Sequence, residues 1–176
     1  MINAAIVGLG RWGSVLVDAV NGSSDRIAFT RAVVRQPGKH QDFAARHGLT
    51  LGTDYAAALA DPAVDAVVIT TPHSLHAGQC IAAAQAGKHI LCEKPFTLDL
   101  AEAQQAFAAA DRAGVVCVVG FQRRLLDAYV ELGRRLAAGA IGTVYHVEAN
   151  QSAPGGFGFG ADSWRTRPGE FRGGAM

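Results

Sequence analysis

Ala4-Ala5-Ile6-Val7-Gly8-Leu9-Gly10-Arg11-Trp12-Gly13 decides the reading of this chain. Four apolar residues without alternation read as a strand buried on both faces. A G-x-G-x-x-G follows, and then a helical pattern from Ser14 to Val20. In that setting Gly8 permits a tight turn, Gly10 lets a pyrophosphate approach the backbone, and Gly13 lets strand and helix pack closely. The helix would aim its free N–H groups and the positive end of its dipole at the phosphates. Glycines are common in turns, so the motif alone says little. Its place between a strand and a helix pattern makes dinucleotide binding the expectation.

The remaining chain repeats the alternation. Strand patterns are Asn3 to Val7, Ile27 to Val34, Thr50-Leu51, Asp65 to Thr70, Lys88 to Cys92 and Val115 to Val119. Between them, helices are expected from Trp12 to Val20, Lys39 to His47, Tyr55 to Ala60, Ser74 to Ala86 and Leu100 to Ala113. Ser74 is the expected N-cap of the fourth helix, and Thr97 or Asp99 that of the fifth. Strands alternating with helices of crossover length give an α/β fold with a doubly wound parallel sheet. After Gly120 the character changes. An amphipathic helix from Arg124 to Ala138 is followed by Val144 to Ala149, which alternates like a strand of an open sheet, and then by a glycine-rich tail. The expected division is a dinucleotide-binding domain over 1–121 and the incomplete start of a second α/β domain over 122–176.

Composition narrows the partners. Of the 176 residues, 49% are hydrophobic and 18% charged, and the formal net charge is +1. A near-neutral chain offers no bulk attraction for nucleic acid or an anionic membrane. No apolar run approaches the roughly 18 residues of a membrane span, and the N-terminus enters a strand without a basic leader. Cys80, Cys92 and Cys117 are scattered, so free thiols and a cytoplasmic location are expected.

Three features carry chemistry. At the end of the second strand, Val33-Val34-Arg35-Gln36-Pro37 lacks the acid that usually binds the adenine ribose. Arg35 stands in its place, and a cation there suits a 2′-phosphate, which favours NADP over NAD. A solvated loop arginine is the alternative. Glu93-Lys94-Pro95 follows a parallel strand at the sheet's carboxyl edge, where such sheets bind ligands. Pro95 keeps Lys94 out of helical geometry. The ammonium group could there bind a hydroxyl or carbonyl oxygen and assist proton transfer; an exposed Glu–Lys pair is the plainer reading. His73 and His76 stand three apart with no third ligand, so no metal is expected. They line a nicotinamide pocket or serve as polar caps. Trp164-Arg165 lies in the glycine-rich tail, where a Trp covers a ligand or fills a satellite core.

Taken with Thr71-Pro72-His73-Ser74-Leu75-His76, Gly120-Phe121-Gln122-Arg123-Arg124 and Gly139-Ala140-Ile141-Gly142, these segments resemble the glucose–fructose oxidoreductase / inositol dehydrogenase / rhizopine-catabolism (Gfo/Idh/MocA) family of NAD(P)-dependent oxidoreductases. The resemblance implies a Rossmann domain followed by a second α/β domain whose sheet mediates homo-oligomerisation in the full-length protein. It implies that Gly8, Gly10, Arg11, Trp12 and Gly13 hold the pyrophosphate. Thr71, Pro72 and His76 would lie beside the cofactor, Glu93 near the nicotinamide ribose, and Trp164 and Arg165 would approach from the second domain. Lys94 would be the catalytic lysine, with Lys94 and Gln122 contacting a sugar- or polyol-type substrate, and the Lys94–Pro95 bond would be cis. The family's catalytic Asp and His follow a segment like Arg172 to Met176, so the chain reads as C-terminally truncated and inactive alone. Two other classes remain: a non-catalytic NAD(P)-binding sensor, and an S-adenosylmethionine-dependent methyltransferase, against which Glu93-Lys94-Pro95 argues.

Overall fold

A computed structural model describes residues 1–150, 152, 160, 163–167 and 169–170. Six strands, β1 (Ile2–Val7), β2 (Ile27–Val33), β3 (Thr50–Gly52), β4 (Ala66–Ile69), β5 (His89–Cys92) and β6 (Cys117–Val119), form one parallel sheet in the order β3-β2-β1-β4-β5-β6. Parallel neighbours need crossovers, and the crossovers cover both faces with helices. These are α1 (Arg11–Val20), α2 (Gln41–His47), α3 (Tyr55–Ala60), α4 (His76–Gln85) and α5 (Leu100–Ala113).

Side-chain alternation along β1 separates two cores. Ala4 and Ile6 pack with Val17 of α1 and Ala44 of α2. Ala5 and Val7 pack on the other face with Ala58 of α3, Cys80 and Ala83 of α4, and Ala106 and Ala110 of α5. Both faces of β1 are therefore dry, which explains its unalternated apolar run. Cys80, Cys92 and Cys117 are free thiols in or beside the second core. Hydrogen bonding to Cys80, with burial, pushes the Cys117 thiol well above its ordinary range, so it stays protonated.

The topological switch lies where β1 pairs with β2 on one side and β4 on the other. Ligands of open α/β sheets bind outside the carboxyl ends of the strands at such a point. Gly8 turns the chain there with φ +97, a conformation that L side chains rarely adopt. Gly13, in the first turn of α1, sits so close that a Cβ would overlap the Gly8 carbonyl oxygen and lie 2.9 Å from Thr70 Oγ1.

Several expected elements differ. The second crossover splits into a 3-10 turn at Pro37–Lys39 and α2, because His40 between them leaves the helical region. Ser74 does not cap α4: a 3-10 turn at His73–Leu75 precedes it, and its N-cap position carries no side-chain hydrogen bond. Asp99 caps α5, its Oδ1 accepting from the Glu102 N–H at 2.9 Å. Residues 122–125 form a 3-10 turn ahead of α6 (Asp127–Ala137), whose Arg134 and Arg135 both pair with Glu131. Val144 to Ala149 forms no strand. Val144, Tyr145 and Val147 are exposed, and alternation without a ladder partner does not make a strand. The glycines from Gly155 to Gly158, with Gly173 and Gly174, lie outside the described residues. Among the described residues, no helix is long and apolar enough to cross a membrane.

The close approach at Gly13 has a measurable sign. In an open helix position, Gly→Ala stabilises by about 0.5–1 kcal/mol. Gly78 in α4 is such a position, with open space for 4 Å around the place an added methyl group would take. At Gly13 the added methyl must displace backbone, an overpacking cost of roughly 1–3 kcal/mol. Urea unfolding should therefore move to a higher midpoint for Gly78→Ala and to a lower one for Gly13→Ala, with unchanged slopes.

Candidate functional site

The carboxyl edge of the sheet opens into a cleft of about 730 Å³, within the usual range for ligand sites. Its wall includes Gly10, Arg11 and Trp12 from the start of α1, Thr70 and Thr71 after β4, and His73 and His76 at the start of α4. Glu93 and Lys94 after β5, Phe121 to Arg124 after β6, and Trp164 and Arg165 from the tail complete it.

The floor is built for an anion. α1 begins at Gly10 with no side-chain cap and no acid in its first turn, so its positive end is not neutralised by its own residues. The Gly8 turn is pinned from β4: Thr70 Oγ1 donates to the Gly8 carbonyl at 2.7 Å, with the Val7 carbonyl at 3.1 Å as a second acceptor. Arg11 and Arg165 face the cleft from opposite segments. Burial and the nearby Arg11 charge both lower the Arg165 pKa. Together these groups suit the pyrophosphate of a dinucleotide.

Glu93 is held from three sides. Trp12 Nε1 donates to Glu93 Oε1 at 2.6 Å, and the Lys94 amide donates to Oε2 at 3.2 Å. Gly120 lies against the carboxylate, where a Cβ would stand 2.6 Å from Oε1. Lys94 is exposed at the cleft, and its ammonium makes no hydrogen bond or ion pair with any described residue. The Lys94–Pro95 bond is cis.

His76 is fully buried, its ring nitrogens each 2.9 Å from a carbonyl oxygen, those of Pro95 and Thr71. It braces the turn after β5 against the turn after β4. The Thr71 hydroxyl donates to Gln79 Oε1 at 2.6 Å, so its proton faces away from a ligand. Burial lowers the His73 pKa, partly opposed by the Glu170 carbonyl, and its ring meets Trp164 edge-on at 4.8 Å. The Arg165 guanidinium lies 4.4 Å over the Trp164 ring.

Of the residues expected at the site, Gly10, Arg11, Trp12, Thr71, His76, Glu93, Lys94, Gln122, Trp164 and Arg165 are brought together on this cleft. Gly8 and Gly13 shape the turn behind it, while Pro72 and Arg35 are not on its wall. Arg35 is exposed past the end of β2 and makes no hydrogen bond or ion pair with any described residue. Sequence reasoning missed Thr70, Gly120 and Glu170. A hydroxyl closing the apolar run of β4 is a local signal for Thr70, whereas Glu170 meets its partners 96 residues away and gives none.

A family model, described as "Oxidoreductase family, NAD-binding Rossmann fold", matches residues 2–121. The chain is 37% identical over 163 residues to a scyllo-inositol 2-dehydrogenase (NAD(+)) of Bacillus subtilis strain 168, covering 87% of this chain and 46% of that protein. It is 36% identical over 98 residues to a D-xylose 1-dehydrogenase (NADP(+)) of Hypocrea jecorina, covering 56% of this chain and 25% of that one. The crystal structure of Lactobacillus casei scyllo-inositol dehydrogenase with bound NAD(H) and scyllo-inositol superposes with a TM-score of 0.76 at 26% identity, covering 81% of this chain and 42% of that one. The chain thus spans about half the length of the Bacillus relative. A glycine turn pinned by Thr70, Lys94 on the same cleft, and a family match over most of the length lead to one assignment: the chain belongs to the Gfo/Idh/MocA family of NAD-binding oxidoreductases.

Proposed function

We propose that this chain is the cofactor-binding part of an NADP(H)-dependent dehydrogenase acting on a secondary hydroxyl of a sugar, polyol or related compound. The observation that carries this reading is Lys94, whose ammonium is unengaged by any described residue and shares one cleft with the α1 N-terminus. When bound, the nicotinamide supplies the hydride acceptor or donor. Arg11, Arg165 and the first-turn N–H groups of α1 bind the pyrophosphate. Glu93, fixed by Trp12, receives the nicotinamide ribose. Lys94 hydrogen-bonds the reacting oxygen and stabilises negative charge there as the C–H bond breaks. Gln122 reaches the substrate from the far wall.

Neither Glu93 nor His76 is placed to accept the hydroxyl's proton. Glu93 is occupied by Trp12, and both ring nitrogens of His76 face carbonyls. The 176-residue chain by itself is expected to bind cofactor without turnover. This also supports a second reading, a non-catalytic NAD(P) sensor, which cofactor binding together with capture of a specific protein partner would favour. Residues 122–176 begin a second domain that carries substrate recognition and subunit contacts, consistent with the exposed Tyr129, Val130 and Leu132 of α6. A cytoplasmic setting suits the three free thiols.

The preference for NADP rests on Arg35, which no described residue engages and which stands where NAD enzymes carry an acid. Titration with each reduced cofactor tests it. Arg35→Asp should weaken NADPH at least about tenfold, the loss of a charge-assisted hydrogen bond, and leave NADH equal or tighter. Unchanged NADPH affinity would remove Arg35 from the site. Gly120→Ala tests Glu93 in the same assay. The added methyl displaces the carboxylate from Trp12, and affinity for both cofactors should fall about tenfold in a chain that stays folded.

A further inference from the structure

Glu170 is fastened to the cleft rim by its side chain and its backbone. Its Oε1 accepts from Ser74 Oγ at 2.6 Å and its Oε2 from the Ser74 N–H at 3.1 Å. Its carbonyl oxygen lies 3.0 Å from His73 Nδ1, which donates to it. All three contacts fall on the 3-10 turn His73–Leu75, which leads directly into α4 and lends His73 to the cleft wall. Burial would raise the Glu170 pKa, but the two bonds from Ser74 hold it below the usual carboxylate range, so the carboxylate is ionised.

The same turn carries a second handle. The Trp164 ring packs edge-on against His73, and Arg165 lies over Trp164. Trp164 and Arg165 line the cleft, whereas Glu170 and Ser74 do not. The tail is thus anchored at Glu170 a few residues beyond the pair that faces the ligand. Ser163 stiffens the pair locally, its Oγ accepting from the Arg165 N–H at 3.3 Å. Both handles, the Glu170 bonds and the Trp164 ring, therefore converge on His73 and its neighbour Ser74.

We propose that Glu170 is a positioning residue that, by clasping Ser74 and His73, holds Trp164 and Arg165 across the dinucleotide site and so sets the rate at which the cofactor leaves. The inference rests on the cofactor site proposed above. Changes within one binding site alter dissociation more than encounter, so the clasp is expected to act on the rate of release.

Stopped-flow release of NADPH from the 176-residue chain, followed by energy transfer from Trp12 and Trp164, tests the clasp. Glu170→Ala and Ser74→Ala should each raise the dissociation rate about tenfold, as loss of a charge-assisted bond implies, with the association rate unchanged. The double variant should be no faster than Glu170→Ala alone, because the hydroxyl bond that Ser74→Ala removes is one of the two that Glu170→Ala removes. Glu170→Gln keeps one acceptor oxygen and should fall between. A merely structural role would lower the melting temperature and leave the dissociation rate alone. If the unsubstituted chain binds NADPH and both alanine variants release it within twofold of its rate, the clasp is overturned and the site stands. If the unsubstituted chain binds neither NADPH nor NADH, the site itself fails and the clasp with it. Should Glu170→Ala not fold, Ser74→Ala, which removes a single exposed hydroxyl, decides alone.

Discussion

The geometry of the cleft depends on the close approach made at the Gly8 carbonyl oxygen. That oxygen accepts from Thr70 Oγ1 at 2.7 Å, and Gly13 approaches so closely that no side chain fits between them. Three elements meet there: the end of β1, the first turn of α1 and the end of β4. The contact decides where α1 starts and in which direction its N-terminus opens. Trp12 precedes Gly13 by one residue, so the same constraint aims its indole across the cleft at Glu93, beyond β5. Lys94 follows Glu93 directly. The position of the ammonium group is thus inherited from a backbone approach on the other side of the switch point.

Glu93 shows what this arrangement costs and what offsets it. Its exposure is 9%, and an unpaired buried carboxylate is destabilising by several kcal/mol. Two donors, the Trp12 indole and the Lys94 amide, offset that cost, and the missing Cβ of Gly120 provides the space. An apolar residue would pack as well with none of these dependencies. A polar group retained at such a place, at the edge of a cleft, marks a site whose geometry matters more than its stability. His76 follows the same logic. A fully buried imidazole bridging two carbonyls ties the turns after β4 and β5 into one wall.

What was legible in the sequence follows from the range over which each residue acts. The central strands β1 and β4 were readable because both their faces pack into the two cores, which leaves unbroken apolar runs. The glycine turn was readable because its requirement for small residues is local. Ser74 looked like a helix cap because capping is a local rule, yet its hydroxyl and amide serve Glu170, 96 residues away. Trp12 and Glu93 are 81 residues apart, and neither position alone signals the other. Val144 to Ala149 has the alternation of a strand, but alternation records which face would be buried and cannot supply the neighbour that buries it. Arg35 kept the exposed place at the end of β2 that its position in the sequence suggested.

Net charge illustrates the same limit from the other direction. At +1 overall, the chain has little long-range attraction for a polyanion. The cleft nevertheless gathers Arg11, Lys94, Arg123, Arg124 and Arg165 around a single acid among the described residues, Glu93, which two donors already occupy. Charges within a Debye length of about 8 Å act together, so the local field favours an anion even though the global one is weak. Arg11 and Arg165 also oppose each other across the cleft. An anion between them converts that repulsion into two attractions, so it should hold the Trp164–Arg165 segment more tightly than the empty cleft does. By linkage, whatever fastens that segment must tighten the anion in equal measure.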